Sequence, residues 1–125
     1  MSIVDLTNHS VETINLPVDT QPTRMVQDDL GLLRVVLRGT GQLATVSLTS
    51  RSLISRDAVC AEPRGITFDP QARELHVACA SGELVTVPQR GSVRSKFVAP
   101  DLRDVVMVNG APQVTTFRSA KVLTP

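Results

Sequence analysis

Tryptophan and tyrosine are missing from this chain, and only three of its 125 residues are phenylalanine. That leaves no run of aromatic rings on which single-stranded nucleic acid could stack. An excess of one charge is missing too: 13 Lys and Arg against 12 Asp and Glu give a formal net charge of +1. Nucleic acids and anionic membranes reward a concentrated basic surface, so neither is expected as a partner. No uninterrupted apolar run reaches the roughly 18 residues of a membrane span. The opening MSIVDLTNHS lacks the basic and apolar regions of a signal peptide, so none is expected in the chain as given. Cysteine is scarce. Cys60 and Cys79 lie 19 residues apart with no His pair nearby, so they form no metal signature, and neither a metal nor another cofactor is expected. Their simplest reading is two small buried hydrophobes. A disulfide is the open alternative, because Cys60 precedes a strand whose hairpin partner carries Cys79.

What remains is a hydrophobic fraction of 42%, ordinary for a globular domain. Most of it is Val, Leu and Ile, and β-branched enrichment favours strands. The length suits one domain. Helical periodicity is weak, and eight prolines argue against long helices.

The chain repeats itself. EPRGITFDPQARELHVACASGELVTV (62–87) follows the same course as QPTRMVQDDLGLLRVVLRGTGQLATV (21–46) and DLRDVVMVNGAPQVTTFRSAKVL (101–123). Without gaps, 21–48 and 62–89 share Pro22/Pro63, Asp28/Asp69, Val36/Val77, Gly41/Gly82, Leu43/Leu84, Thr45/Thr86 and Val46/Val87. A one-residue shift in the turns also lays LRVVLRGTGQL on LHVACASGEL. The prolines precede a strand, where a missing N–H harms no ladder. The shared glycines sit at a hairpin, and Asn109-Gly110 supplies a strong two-residue hairpin signal in the third copy. A period of about 40 residues made only of short strands points to propeller blades of four antiparallel strands, a to d.

The fold class expected is therefore all-β, built of propeller blades. Residues 1–20 hold strands c and d of a split blade, 21–60 and 61–100 are blades, and 101–125 is a partial blade. EPRGITFDPQARELHVACASGELVTV resembles the blade consensus of YncE-like and lactonase-type β-propellers, with a Pro-x-Gly opening, the turn FDPQAREL, the strand LHVACASG and a following ELVTV. The resemblance implies a fold more than an activity, since such blades serve scaffolds, binding proteins and enzymes. Members have six or seven blades, about twice what is present here. Gly65, in the opening of the middle unit, is replaced by Arg24 and Asp104 in the others.

Three blades do not close a ring. An open array exposes apolar faces at both ends and unpaired strand edges, and closure removes them. The expected partner is a second copy, giving a homodimeric six-bladed ring in which strands c and d of one chain complete the partial blade of the other. A complementary propeller chain is the alternative partner, and a fragment or engineered piece of a larger propeller is the alternative origin.

Candidate chemistry is sparse. His9 lies in the turn TNHS, and His76 lies on strand b, where an inter-blade hydrogen-bonded role is the simpler reading. Asp28, Asp29 and Asp69 follow strand a as turn formers. Asp101 and Asp104 open a later strand, and Asp57 lies on an outer one. The polar set of most interest is Arg24, Arg64 and Arg103, near the start of each strand a. If these arginines converge at one mouth of the axis they suit an anion, a carboxylate or an acidic peptide. Otherwise they pair with neighbouring carboxylates. Arg64 and Arg103 are equivalent and Arg24 is displaced by one place. No catalytic residue is assigned. The function expected is a non-catalytic structural or protein-interaction module that assembles into a ring. The alternative is a small-molecule or anion-binding site, or a lactonase-like hydrolytic site, at the axis.

Overall fold

The computed structural model describes residues 2–5, 7, 10–116 and 121–125. Within them run thirteen strands and no helix. They are β1 (Ser2–Asp5), β2 (Ser10–Thr13), β3 (Pro22–Gln27), β4 (Leu32–Leu37), β5 (Gln42–Ser47), β6 (Ser52–Ala58), β7 (Pro63–Asp69), β8 (Glu74–Cys79), β9 (Glu83–Pro88), β10 (Arg94–Phe97), β11 (Leu102–Val108), β12 (Ala111–Thr116) and β13 (Val122–Leu123). They form four antiparallel sheets in sequence order: β1-β2, β3 to β6, β7 to β10, and β11 to β13. The last three are propeller blades lying inside 21–60, 61–100 and 101–125, with the first strands in contact, β3 on β7 and β7 on β11.

The repeat is visible in the backbone. Each first strand is entered through a residue with positive φ: Gln21 at 49°, Glu62 at 50° and Asp101 at 61°. Non-glycine residues occupy that region only where surrounding contacts hold them. Here the carbonyl of Gln21 accepts from Arg38 N at 3.0 Å and that of Glu62 from Ala80 N at 3.0 Å. Pro22, Pro63 and Leu102 then pair with Leu37, Cys79 and Thr116. In each strand the ladder skips the next residue, so Thr23, Arg64 and Arg103 are bulged, and pairing resumes at Arg24, Gly65 and Asp104. A bulge re-aims side chains, and here it sits at one place in every blade.

Gly41 and Gly82 occupy the second hairpin of their blades at φ 68° and 104°, and their carbonyls accept from Val59 N and Val98 N, each at 2.9 Å. A Cβ on Gly41 would lie 2.5 Å from the carbonyl oxygen of Cys60, and one on Gly82 2.7 Å from that of Ala99. Conformation and space both require glycine there.

The middle strands read as continuous apolar runs because both of their faces are buried. Val35, Leu37 and Ala44 pack with Leu16 and Leu53 on one side of the first blade. Val36 and Leu43 point to the other side, against Ile66, Leu75, Val77, Cys79 and Val85. Ala78 and Leu84 then meet Leu102, Val105 and Val114. One strand thus feeds two layers by the two-residue alternation of its side chains. The outermost strand β10 is exposed along its whole length and carries Arg94 and Lys96, which suits a charged sheet edge.

On the outer side of the first blade the layering covers β4 and β5 and stops at the inner strand β3. Met25, Ile66 and Val105 are equivalent, since they pair with Val35, Val77 and Val114. Ile66 is 8% exposed and Val105 2%, each covered by the preceding blade, whereas Met25 is 53% exposed.

Candidate functional site

The bulge places the polar residues nearest the blade starts. Arg24, Gly65 and Asp104 stand at one register position in three successive blades, and the structure brings them together. The carboxylate of Asp104 lies against Gly65, where an added Cβ would meet Oδ1 at 2.5 Å and the Asp104 Cα at 2.7 Å. Its Oδ2 accepts from Nη2 of Arg24 at 3.0 Å, while Oδ1 accepts from Val105 N at 2.9 Å. Arg24 therefore reaches past the middle blade, over the residue without a side chain. The three deviations from a common opening are complementary: a cation, a gap and an anion.

Arg64 turns elsewhere. Its Nη1 donates to Asp101 Oδ1 at 2.6 Å and to the carbonyl of Leu102 at 3.4 Å, and Nη2 lies 4.0 Å from Glu62. The first two contacts join the second blade to the entry of the third. Arg103 lines a groove of about 460 Å³ with Arg24, Asp104, Gln113, Lys121 and Val122 on the third blade. Of the three arginines, two share this groove and the third is held by Asp101.

The aspartates after the first strands serve the turns. Asp28 Oδ1 accepts from Leu30 N and Leu32 N at 2.9 and 3.0 Å. Asp69 Oδ1 accepts from Gln71 N and Ala72 N at 3.0 and 3.2 Å. Both are buried, and the backbone donors satisfy their oxygens there. Asp29 contacts Arg73 at 3.4 Å and receives a hydrogen bond from Gln89.

Beside each buried aspartate the two blades differ. Arg34 pairs with Val26 and Thr45, and His76 pairs with Thr67 and Thr86, so they are equivalent. Arg34 Nη1 lies 3.5 Å from Asp28 Oδ2. In the next blade His76 is 5% exposed, its Nδ1 lies 3.0 Å from Thr86 Oγ1, and its Nε2 lies 3.9 Å from Glu74 Oε1. The other carboxylate oxygen of Glu74 accepts from Arg94 at 2.9 Å. Burial holds the His76 imidazole below its ordinary value of 6.5, against the opposing pull of Glu74 and Asp69. Donor atoms of Asp69, Glu74 and His76 all lie within 4.8 Å of one another. Glu74 escaped sequence reasoning. Only the repeat alignment of Arg34 with His76 hints that a charge has been exchanged at this place. His9, the other histidine, lies outside the described residues.

Cys60 and Cys79 are joined by a disulfide, with their Cα atoms 6.3 Å apart. The reading as two separate hydrophobes gives way because the linker into the second blade passes directly beside the end of β8, where Pro63 pairs with Cys79. The bond ties that linker to the blade it enters.

No protein-family model and no curated protein matches the chain. Solved structures do. The chain resembles a catalytically inactive virginiamycin B lyase from Staphylococcus aureus solved with quinupristin, at TM-score 0.78 and 11% identity over 98% of this chain and 46% of that one. A streptogramin B lyase structure gives TM-score 0.75 at 11% identity, covering 98% and 46%. Kuenenia stuttgartiensis hydrazine synthase gives 0.67 at 13%, covering 88% and 36%. The chain spans about half the length of the lyases it matches. At these identities the likeness establishes the fold, an all-β propeller architecture.

Proposed function

We infer that this chain is a non-catalytic propeller module that works as a rigid interaction scaffold and completes its ring with a second copy of itself. One observation carries the reading: Met25 is 53% exposed at the position where Ile66 and Val105 are 8% and 2% exposed. The first blade presents a surface built to receive another blade. The third blade carries exposed Val106 and Val122 on its strands, beside the groove of Arg24, Asp104 and Lys121. Contact between the Met25 face of one copy and the third blade of another repeats the packing already made twice within the chain. Such head-to-tail contacts close a ring when the rotation suits, and two copies give six blades, a size propellers adopt. The YncE-like, lactonase-type resemblance of the middle blade belongs with this reading. In the closed ring β1 of one copy competes with β13 of the other for the third place in the last sheet, and β2 takes the fourth.

The reading as a non-enzyme rests on how the polar groups are used. Arg24 and Arg64 are engaged by carboxylates, and Asp28 and Asp69 hold turns. Anion binding at the axis is the second reading, favoured by the groove that Arg24, Arg103 and Lys121 line together with Asp104. The lyase activity named for the structural neighbours is not carried over.

Light scattering on the eluting protein tests the assembly. The expected mass is about 27 kDa, twice the 13.5 kDa chain, and Met25→Asp is expected to shift it to the monomer. A folded monomer for the unaltered chain, at concentrations of tens of micromolar, refutes the ring.

A further inference from the structure

Where the first blade carries a guanidinium beside its buried aspartate, the second blade carries an imidazole. In the first blade the buried carboxylate of Asp28 faces the guanidinium of Arg34. At the same register position of the second blade stands His76, and a second carboxylate, Glu74, joins Asp69. Arg94 answers one oxygen of Glu74 at 2.9 Å, and the other oxygen, Oε1, faces the imidazole at 3.9 Å.

We propose that Asp69, Glu74 and His76 form a binding site for a divalent transition-metal ion of the zinc class. The imidazole is oriented for it. Its side chain is 93% buried, being 7% exposed, and Nδ1 is held at 3.0 Å by Thr86 Oγ1. With Nδ1–H donating to that hydroxyl, the lone pair of Nε2 is directed at the carboxylates, the arrangement by which an outer hydrogen bond fixes a metal-binding histidine. The contact from Nε2 to Glu74 Oε1, 3.9 Å, is too long for a hydrogen bond. Nε2 thus lies beside the Glu74 carboxylate without a hydrogen bond to it, and a ligand atom of Asp69 lies within 4.8 Å of the other two residues' ligand atoms. Ligand bonds of about 2.0–2.2 Å place ligand atoms roughly 3.3–3.5 Å apart, so the 3.9 Å pair of His76 and Glu74 closes by about half an ångström, while the cluster as a whole, whose ligand atoms lie within 4.8 Å of one another, closes by up to about 1.5 Å. Arg94 fixes the far oxygen of Glu74 and leaves Oε1 for the ion. One nitrogen and two carboxylate oxygens suit Zn²⁺ and its neighbours better than calcium, which asks for six to eight oxygens. A groove of about 400 Å³ lined by His76, Thr86, Arg94 and Lys96 opens beside the imidazole.

The experiment is titration of the chelator-treated, non-reduced protein with Zn²⁺ by calorimetry, with Co²⁺ absorption reporting the ligand geometry. The expected result is one ion per chain, with affinity falling at least tenfold in Glu74→Gln. His76→Arg restores the first blade's arrangement and so is expected to fold while losing the ion completely. Thr86→Val, which frees the ring, is expected to weaken binding about tenfold or more. His9→Gln serves as the control and is expected to bind as the parent does. Absence of stoichiometric binding, or binding equal in the parent and in a folded His76→Arg variant, overturns the proposal. Neither result bears on the mass of the assembly, so the two readings fail separately.

Discussion

Gly65 is the residue whose replacement tests the blade packing most directly. Its φ is not in the left-handed region, so alanine meets no conformational penalty there and the cost is steric. An added Cβ would lie 2.5 Å from Asp104 Oδ1, 2.7 Å from Asp104 Cα and 3.1 Å from Val105 N. The first contact is a side chain that can move. The other two are backbone of the neighbouring inner strand, so β7 and β11 must separate. Overpacking of this kind costs about 1–3 kcal/mol. The ion pair above the glycine contributes far less, because Arg24 is 61% exposed and such pairs are worth roughly 0–1 kcal/mol. Gly65→Ala is therefore expected to destabilise by about 2 kcal/mol, and Arg24→Ala by less than about 1 kcal/mol. Asp104→Ala is not expected to rescue Gly65→Ala, since the backbone contact survives truncation. Urea unfolding at one fixed protein concentration reads this as a shift in midpoint at constant slope. A Gly65→Ala variant within about 0.5 kcal/mol of the parent, or one fully rescued by Asp104→Ala, refutes the close approach of the two strands.

Two further outcomes follow from the same geometry. The disulfide spans a sequence separation of 19 residues, and closing a loop of that size stabilises by about 3 kcal/mol on the chain-entropy account; the Cys60→Ser/Cys79→Ser pair is expected to lose most of it, and unchanged thermal unfolding in that variant contradicts this. The His76 imidazole titrates below 6.5 when folded because it is buried. The unfolded chain therefore holds more protons over the interval between the folded value and 6.5, and stability rises with pH there. Its contribution is complete above about pH 6.5 and is lost as pH falls through the folded value, so His76→Gln is expected to flatten the slope between pH 7 and 5. Equal slopes in the two proteins refute the assignment.

Much of the fold is legible because strand alternation and turn chemistry are local. RGITFD, ELHVACA and ELVTVPQ each carry a short apolar run bounded by Pro, Gly or Asp, and the structure forms β7, β8 and β9 there. The gapless alignment of Val36 with Val77 is a residue off for the second strands, since ladder partners equate Val35 with Val77. The turn FDPQAREL is one residue longer than its counterpart, which the shifted alignment accommodates. The site is less legible. Arg24, Gly65 and Asp104 look like three unrelated departures along the chain, and they become one feature only when three blades stack. Glu74 and Asp69 lie five residues apart across a turn, with nothing in the spacing to bring them onto one imidazole.

By itself the sequence determined the strands, their antiparallel order within each sheet and the period of the repeat, because hydrogen-bonded hairpins join neighbours in the chain and their signals are a few residues long. Only the tertiary structure decided which residues meet between blades: Arg24 with Asp104 across Gly65, Cys60 with Cys79, and His76 with two carboxylates. Those contacts depend on how one sheet is rotated and stacked against the next. That arrangement is set by the summed packing of whole faces, and no short stretch of residues encodes it.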